Sequence, residues 1–145
     1  MDAVIENATD AFNYIYGGKG KATLVSKKTG SRYTYKFRTA RREGPAKEPL
    51  IFVSFLTGSD NQSSYTYLGF INPSADNVGL IAGRKGQPAA VAFKALNWAI
   101  HKLAADEMPD ELEVWHSGTC GKCGRELTVP SSIATGLGPV CGSRV

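Results

Sequence analysis

The sequence predicts an α+β protein: an antiparallel meander of four to five strands covered by one helix, then a small cysteine-bearing unit at the C-terminal end. Three observations point there. From residue 22 to residue 71 short apolar or alternating runs are separated by turn residues, which is the pattern of consecutive strands. A single later stretch, Pro88 to Ala105, repeats its apolar residues at helical spacing. All three cysteines then cluster after it, in the order His116-x3-Cys120-x2-Cys123-x17-Cys141.

The elements follow in order. Residues 1–16 form a short helix or arm anchored by Ala11, Phe12, Tyr14, Ile15 and Tyr16, and Gly17-Gly18-Lys19-Gly20 ends it. Ala22–Lys27 is a short strand, and Thr29-Gly30-Ser31 turns the chain. Arg32–Arg38 alternates strictly, with Tyr33, Tyr35 and Phe37 on one face and Arg32, Thr34, Lys36 and Arg38 on the other. The aromatic face is expected under the helix. Leu50–Leu56 is nearly continuously apolar, so a central strand buried on both faces is expected. Ser64–Ile71 carries Tyr65 and Tyr67 and stops at Asn72-Pro73-Ser74. A further strand over Val78–Ala82 precedes the turn Gly83-Arg84-Lys85-Gly86. Pro88 then opens the helix. Phe93, Leu96, Ile100 and Leu103 make its buried stripe, with Trp98 beside them. Met108-Pro109 breaks it, and Glu113-Val114-Trp115 is a brief strand leading into His116.

Two cysteines separated by two residues converge their sulfurs on one ion, and a third thiolate with an imidazole completes the tetrahedron that zinc prefers. Gly121 and Gly124 permit the tight turn beneath the pair. The spacing therefore predicts a zinc site at Cys120, Cys123 and Cys141, with His116 as the candidate fourth ligand and His101 on the helix surface. The alternatives are free or redox-active thiols, or a disulfide. An odd cysteine count and a Met-Asp opening without a basic-then-apolar leader weigh against secretion and a disulfide framework. A fully ligated zinc has no open position, so it builds structure and does not catalyse. The deaminase pattern needs His-x-Glu, whereas Ser117 and Gly118 follow His116. Lys19-Gly20-Lys21 is followed by Ala22, not the Ser or Thr of a phosphate loop. With no nucleophile–base pair in view, an enzyme is not expected.

The run Cys120-Gly-Lys-Cys123-Gly-Arg125-Glu-Leu127-Thr-Val-Pro130-Ser-Ser-Ile133, followed by Gly136-Leu-Gly-Pro-Val-Cys141, resembles a zinc-ribbon module of unknown function. That module recurs at the C-terminal end of small proteins encoded by bacteriophages and mobile elements. Longer members are similar upstream too, with a strand like Tyr65–Gly69 and a helix like Lys94–Trp98. The resemblance implies Zn2+ at Cys120, Cys123 and Cys141, joined by His116, and supplies no activity. It divides the chain into a sheet–helix domain over 1–112 and a zinc-binding ribbon or knuckle over 113–145.

The net charge of +4 is unevenly spread. From Lys19 to Lys47 there are ten basic residues and one acid, Glu43, while Asp106 to Glu113 holds five acids and no base. A one-sided basic region fits a polyanion or an acidic protein surface; the bland alternative is a solvated sheet face. Lys27, Lys28, Arg32, Lys36, Arg38, Arg41 and Arg42 are the candidate contacts. Arg125 has two readings, a phosphate contact or a brace for the cysteine turn. The expected function is non-enzymatic binding of nucleic acid, single-stranded because an antiparallel sheet with one free face suits unpaired bases. The competing expectation is a protein-interaction module that blocks a host or defence complex. No apolar run is long enough to span a membrane, so a cytoplasmic location is expected, the host cytoplasm if the chain is phage-encoded.

Overall fold

A computed structural model describes residues 3–40, 49–57, 64–127 and 130–138. The chain folds as a mixed α+β protein in which helices cover one face of a six-stranded antiparallel sheet. The strands are β1 (Ala3–Ile5), β2 (Lys21–Ser26), β3 (Arg32–Ala40), β4 (Leu50–Leu56), β5 (Tyr65–Ile71) and β6 (Leu112–His116), in the spatial order β1-β6-β2-β3-β4-β5. The helices are α1 (Ala8–Tyr16), α2 (Val91–Ala104) and the short α3 (Pro130–Thr135).

Four strands in succession, β2 to β5, form the expected meander. β1 and β6 complete the sheet: β6 inserts between β1 and β2. Leu112 and Val114 on β6 are core residues, so the 113–145 segment is tied into the sheet at its first strand. The N-terminal segment splits where a helix or arm was expected, into β1 and then α1. Asn7 separates them as an N-cap, its side chain accepting the Asp10 amide at 3.1 Å.

One core fills the space between sheet and helices. Tyr14, Ile15, Tyr35, Val53, Leu68, Leu96 and Ile100 are fully buried in it. Tyr33 packs against the core, Tyr35 and Phe37 lie within it, and the Tyr35 hydroxyl donates to the Ala92 carbonyl at 2.6 Å. The aromatic face of β3 thus lies under α2, as its alternation predicts. Three expectations need correction. The β4 strand is buried on one face only: Ile51 and Val53 are in the core, while Phe52 and Ser54 are half-exposed on the other side. Its continuous apolar run reflects Leu50, Phe52 and Leu56 on an open face, not a second covering layer. Residues Val78–Ala82 form no strand; a single bridge joins Ile81 to Phe70 and caps the outer edge of β5. Trp98 is 39% exposed at the rim of α2, one helical step outside the buried stripe.

The C-terminal segment docks where α1 meets β2, around the fully buried Tyr14. Its hydroxyl donates to the Lys21 carbonyl at 3.0 Å and accepts the Lys21 amide at 3.1 Å. A Cβ on Gly121 would sit 2.6 Å from the Tyr14 ring and 2.8 Å from its carbonyl oxygen, so only glycine permits this approach. The Gly121 carbonyl also accepts the Lys19 amide at 2.8 Å. Among the described residues no helix is long and apolar enough to cross a membrane.

Candidate nucleic-acid interface and cysteine turn

The cysteine turn is a tight hairpin. Thr119 and Glu126 bridge, the Cys120 amide donates to the Arg125 carbonyl at 2.7 Å, and the Gly124 amide donates to the Cys120 carbonyl at 2.9 Å. Gly124 has a φ of +80°, the left-handed conformation that closes the turn. The Cys120 sulfur is fully buried and accepts two backbone amides, Lys122 at 3.4 Å and Gly138 at 3.3 Å. Burial alone pushes its thiol up. The Gly138, Cys123 and Lys122 amides and the Cys123 side chain outweigh that and bring it down to about 7. Cys123 is exposed at the tip, and neither cysteine is in a disulfide. Cys141 lies outside the described residues, as do Arg41 and Arg42. Among the described residues no three His, Cys, Asp or Glu side chains gather as a metal site.

His116 ends β6, four positions before Cys120. It is buried in the core beside Tyr14, with ring centroids 5.6 Å apart. Its Nδ1 accepts the Gly118 amide at 2.9 Å, so Nε2 carries the proton and donates to the Ile133 carbonyl at 2.6 Å. Both ring nitrogens are engaged in protein hydrogen bonds. His116 clamps α3 to the end of β6.

The open face of the sheet carries the other candidate site. Lys36, Arg38, Phe52, Ser54, Tyr65, Tyr67, Phe70, Arg84 and Lys85 are among the residues around a groove of about 710 Å³. Sheet register assembles it: Arg38 pairs with Phe52 and Phe52 with Phe70, while Lys36 pairs with Ser54 and Ser54 with Tyr67. A register shift between Val53 and Ser54 keeps Tyr65 and Tyr67 on this side. The Arg38 guanidinium lies 5.4 Å from the Phe52 ring centroid, and Phe52 meets Tyr67 edge-on at 6.1 Å. The ammonium groups of Lys36 and Lys21 lie over Tyr65, at 5.5 and 5.7 Å. Lys21 and Lys36 are direct cross-strand partners. Within the groove the Tyr65 hydroxyl oxygen is buried without a hydrogen-bond partner.

Of the basic residues singled out by sequence, Lys36 and Arg38 line the groove. Arg32 is exposed on the same face, next to Val25. Lys27 and Lys28 sit in the β2–β3 turn, and Arg125 is exposed on the cysteine turn. Sequence reasoning missed Phe52, Phe70, Arg84 and Lys85, and assigned Tyr65 and Tyr67 to no face. The Gly83-Arg84-Lys85-Gly86 turn was visible as a turn; its overhang beside Phe70 was not.

Residues 111–145 match the model of a family of unknown function, DUF6011. The matched stretch runs from β6 through the cysteine turn. No curated protein and no solved structure matches the chain.

Proposed function

We propose that this chain is a non-enzymatic nucleic-acid-binding module that holds single-stranded nucleic acid on the open sheet face. The observation that carries this is the groove: four cations, Lys36, Arg38, Arg84 and Lys85, surround the rings of Phe52, Tyr65, Tyr67 and Phe70. Cations follow a phosphate backbone while aromatic faces stack on unpaired bases, a combination that duplex DNA cannot use because its bases are already stacked. The described groove lining is cationic, aromatic and hydroxyl-bearing, the groups that hold a phosphate backbone and stack on bases.

In this reading Zn2+ staples the C-terminal segment through Cys120, Cys123 and Cys141. The donor chemistry around Cys120 fits: a buried sulfur receiving two amides is prepared to be a thiolate ligand. His116 is the candidate fourth ligand that would close the site, its Nδ1 exchanging the Gly118 amide for the metal. Metal ligation contributes on the order of 10 kcal/mol to small zinc domains, so the metal is structural here.

The test is fluorescence anisotropy of a labelled single-stranded oligonucleotide at low salt, alongside elemental analysis of the freshly purified protein. Binding is expected, weakened by Phe52→Leu and Tyr67→Leu, together with one zinc per chain. Absence of binding to any DNA or RNA oligonucleotide at low salt would overturn the nucleic-acid reading in favour of an acidic protein partner, including a host or defence complex. Absence of stoichiometric metal would overturn the zinc staple.

A further inference from the structure

The groove occupies only the β3–β5 side of the open face, and that face continues across β2 to β6. Trp115 lies there. Its neighbours Val114 and His116 are buried on the helix side, and Trp115 between them is half-exposed on the other. Register confirms the side: Trp115 pairs with Thr23 and Thr23 with Thr34, and Thr34 alternates with the core residue Tyr35. The hydroxyls of Thr23 and Thr34 bond each other at 2.9 Å, giving a low polar floor between Trp115 and the groove. Lys21 and Lys36 flank that floor, two residues along each strand.

We infer that Trp115 is a second base-stacking platform, and that a single strand crosses the sheet perpendicular to its strands, from Tyr65 at the edge of the groove, beside Lys36, over Thr34 and Thr23 to Trp115. This rests on the proposed nucleic-acid reading and adds the path and the length of the bound segment. From β5 to β6 there are four inter-strand steps of about 4.8 Å, roughly 19 Å in all. That length accommodates about four nucleotides, at the short end of sheet-based single-strand sites. Aromatic groups stand at both ends, with cations and small hydroxyl side chains between, so the backbone has its charges met midway and bases are stacked at the termini. Glu113 bounds the track. It shares the open face two residues from Trp115, next to Val25, and its carboxylate repels phosphate from that side. A protein partner would use this surface differently, because a low floor of threonine hydroxyls offers it little to bury.

The chain has two tryptophans, and Trp98 sits on α2, away from this face, so Trp98→Phe leaves Trp115 as the sole indole reporter. The full-length zinc-loaded Trp98→Phe protein would be titrated with oligothymidine and oligouridine of about two, four and six nucleotides at low salt. Quenching of Trp115 emission is expected from about four nucleotides upward and not with the dinucleotide, which the groove alone can hold. Trp115→Leu keeps apolar cover on β6 without the ring, and is expected to weaken binding of the six-nucleotide strand by about 5- to 150-fold, the range for loss of one stacked base, while leaving dinucleotide affinity unchanged. Tight, salt-sensitive binding of the longer strands with unchanged Trp115 emission and no effect of Trp115→Leu would overturn this path and leave the groove reading intact. If no oligonucleotide of either sugar binds, both fall together.

Discussion

Gly121→Ala tests how the cysteine turn is seated on the rest of the protein. The added methyl would lie 2.6 Å from Tyr14 Cδ1 and 2.8 Å from the Tyr14 carbonyl oxygen, against ordinary contacts of about 3.5–4.0 Å. Tyr14 has nowhere to go. It is fully buried, its hydroxyl is held on both sides by the Lys21 backbone, and the second contact is main chain on α1. The turn must therefore shift away from α1, weakening the Lys19 amide bond to Gly121 as it does so. Overpacking of this kind costs about 1–3 kcal/mol. For a chain of this length each kcal/mol lowers Tm by about 3–4 °C, so a drop of about 3–10 °C is expected by thermal melting. The neighbouring exposed Lys122→Ala is the control and should stay within about 0.5 kcal/mol of the parent. A Gly121→Ala protein melting together with that control would refute the docking of the turn on Tyr14.

Leu96→Ala, deleting a fully buried side chain of α2, is expected to cost about 2–5 kcal/mol, whereas Trp98→Phe at the exposed rim should cost far less; equal melting temperatures would show that the helix face is misassigned. Alkaline pH should destabilise the fold. Burial holds the hydroxyls of Tyr14 and Tyr35 above their ordinary range. Folded-state values raised above the unfolded value give stability that is complete below about pH 10 and lost as pH rises beyond it, because only the unfolded chain ionises freely. Urea midpoints measured from about pH 8 to 11 should fall at the upper end, and less steeply in Tyr35→Phe; a flat profile would contradict the burial of these hydroxyls.

Much of the sheet was legible because its strands carry strong local signals. Arg32–Arg38 alternates so regularly that its two faces follow from sequence alone, and Tyr35 duly reaches the Ala92 carbonyl. The β4 strand shows where such reading stops. Its apolar run has two explanations, two buried faces or one buried and one open face that carries Phe52, and the pairing of Phe52 with Arg38 distinguishes them. The groove was invisible for the same reason: it is made by register across three strands and by a turn from beyond β5. His116 is legible in part: its spacing from Cys120 suits a zinc ligand, whereas its burial beside Tyr14 follows from β6 running through residue 116, which the sheet alone shows. Trp115 was read only as part of a brief strand, since its exposure depends on which neighbour β6 chooses, and nothing local encodes its insertion between β1 and β2.

The salt dependence of oligonucleotide affinity tests the central claim most directly. Each neutralised phosphate contributes about −0.7 to the slope of log affinity against log salt for single strands. The four groove cations should therefore give a slope of about −2.8, an affinity loss of about 50-fold between roughly 50 and 200 mM salt. Replacing Lys36 and Arg38 with alanine should halve that slope, to about −1.4, and leave Tm nearly unchanged because both side chains are exposed. A slope that stays the same in the double variant would contradict the account, since the bound strand would then lie somewhere other than the open face of the sheet.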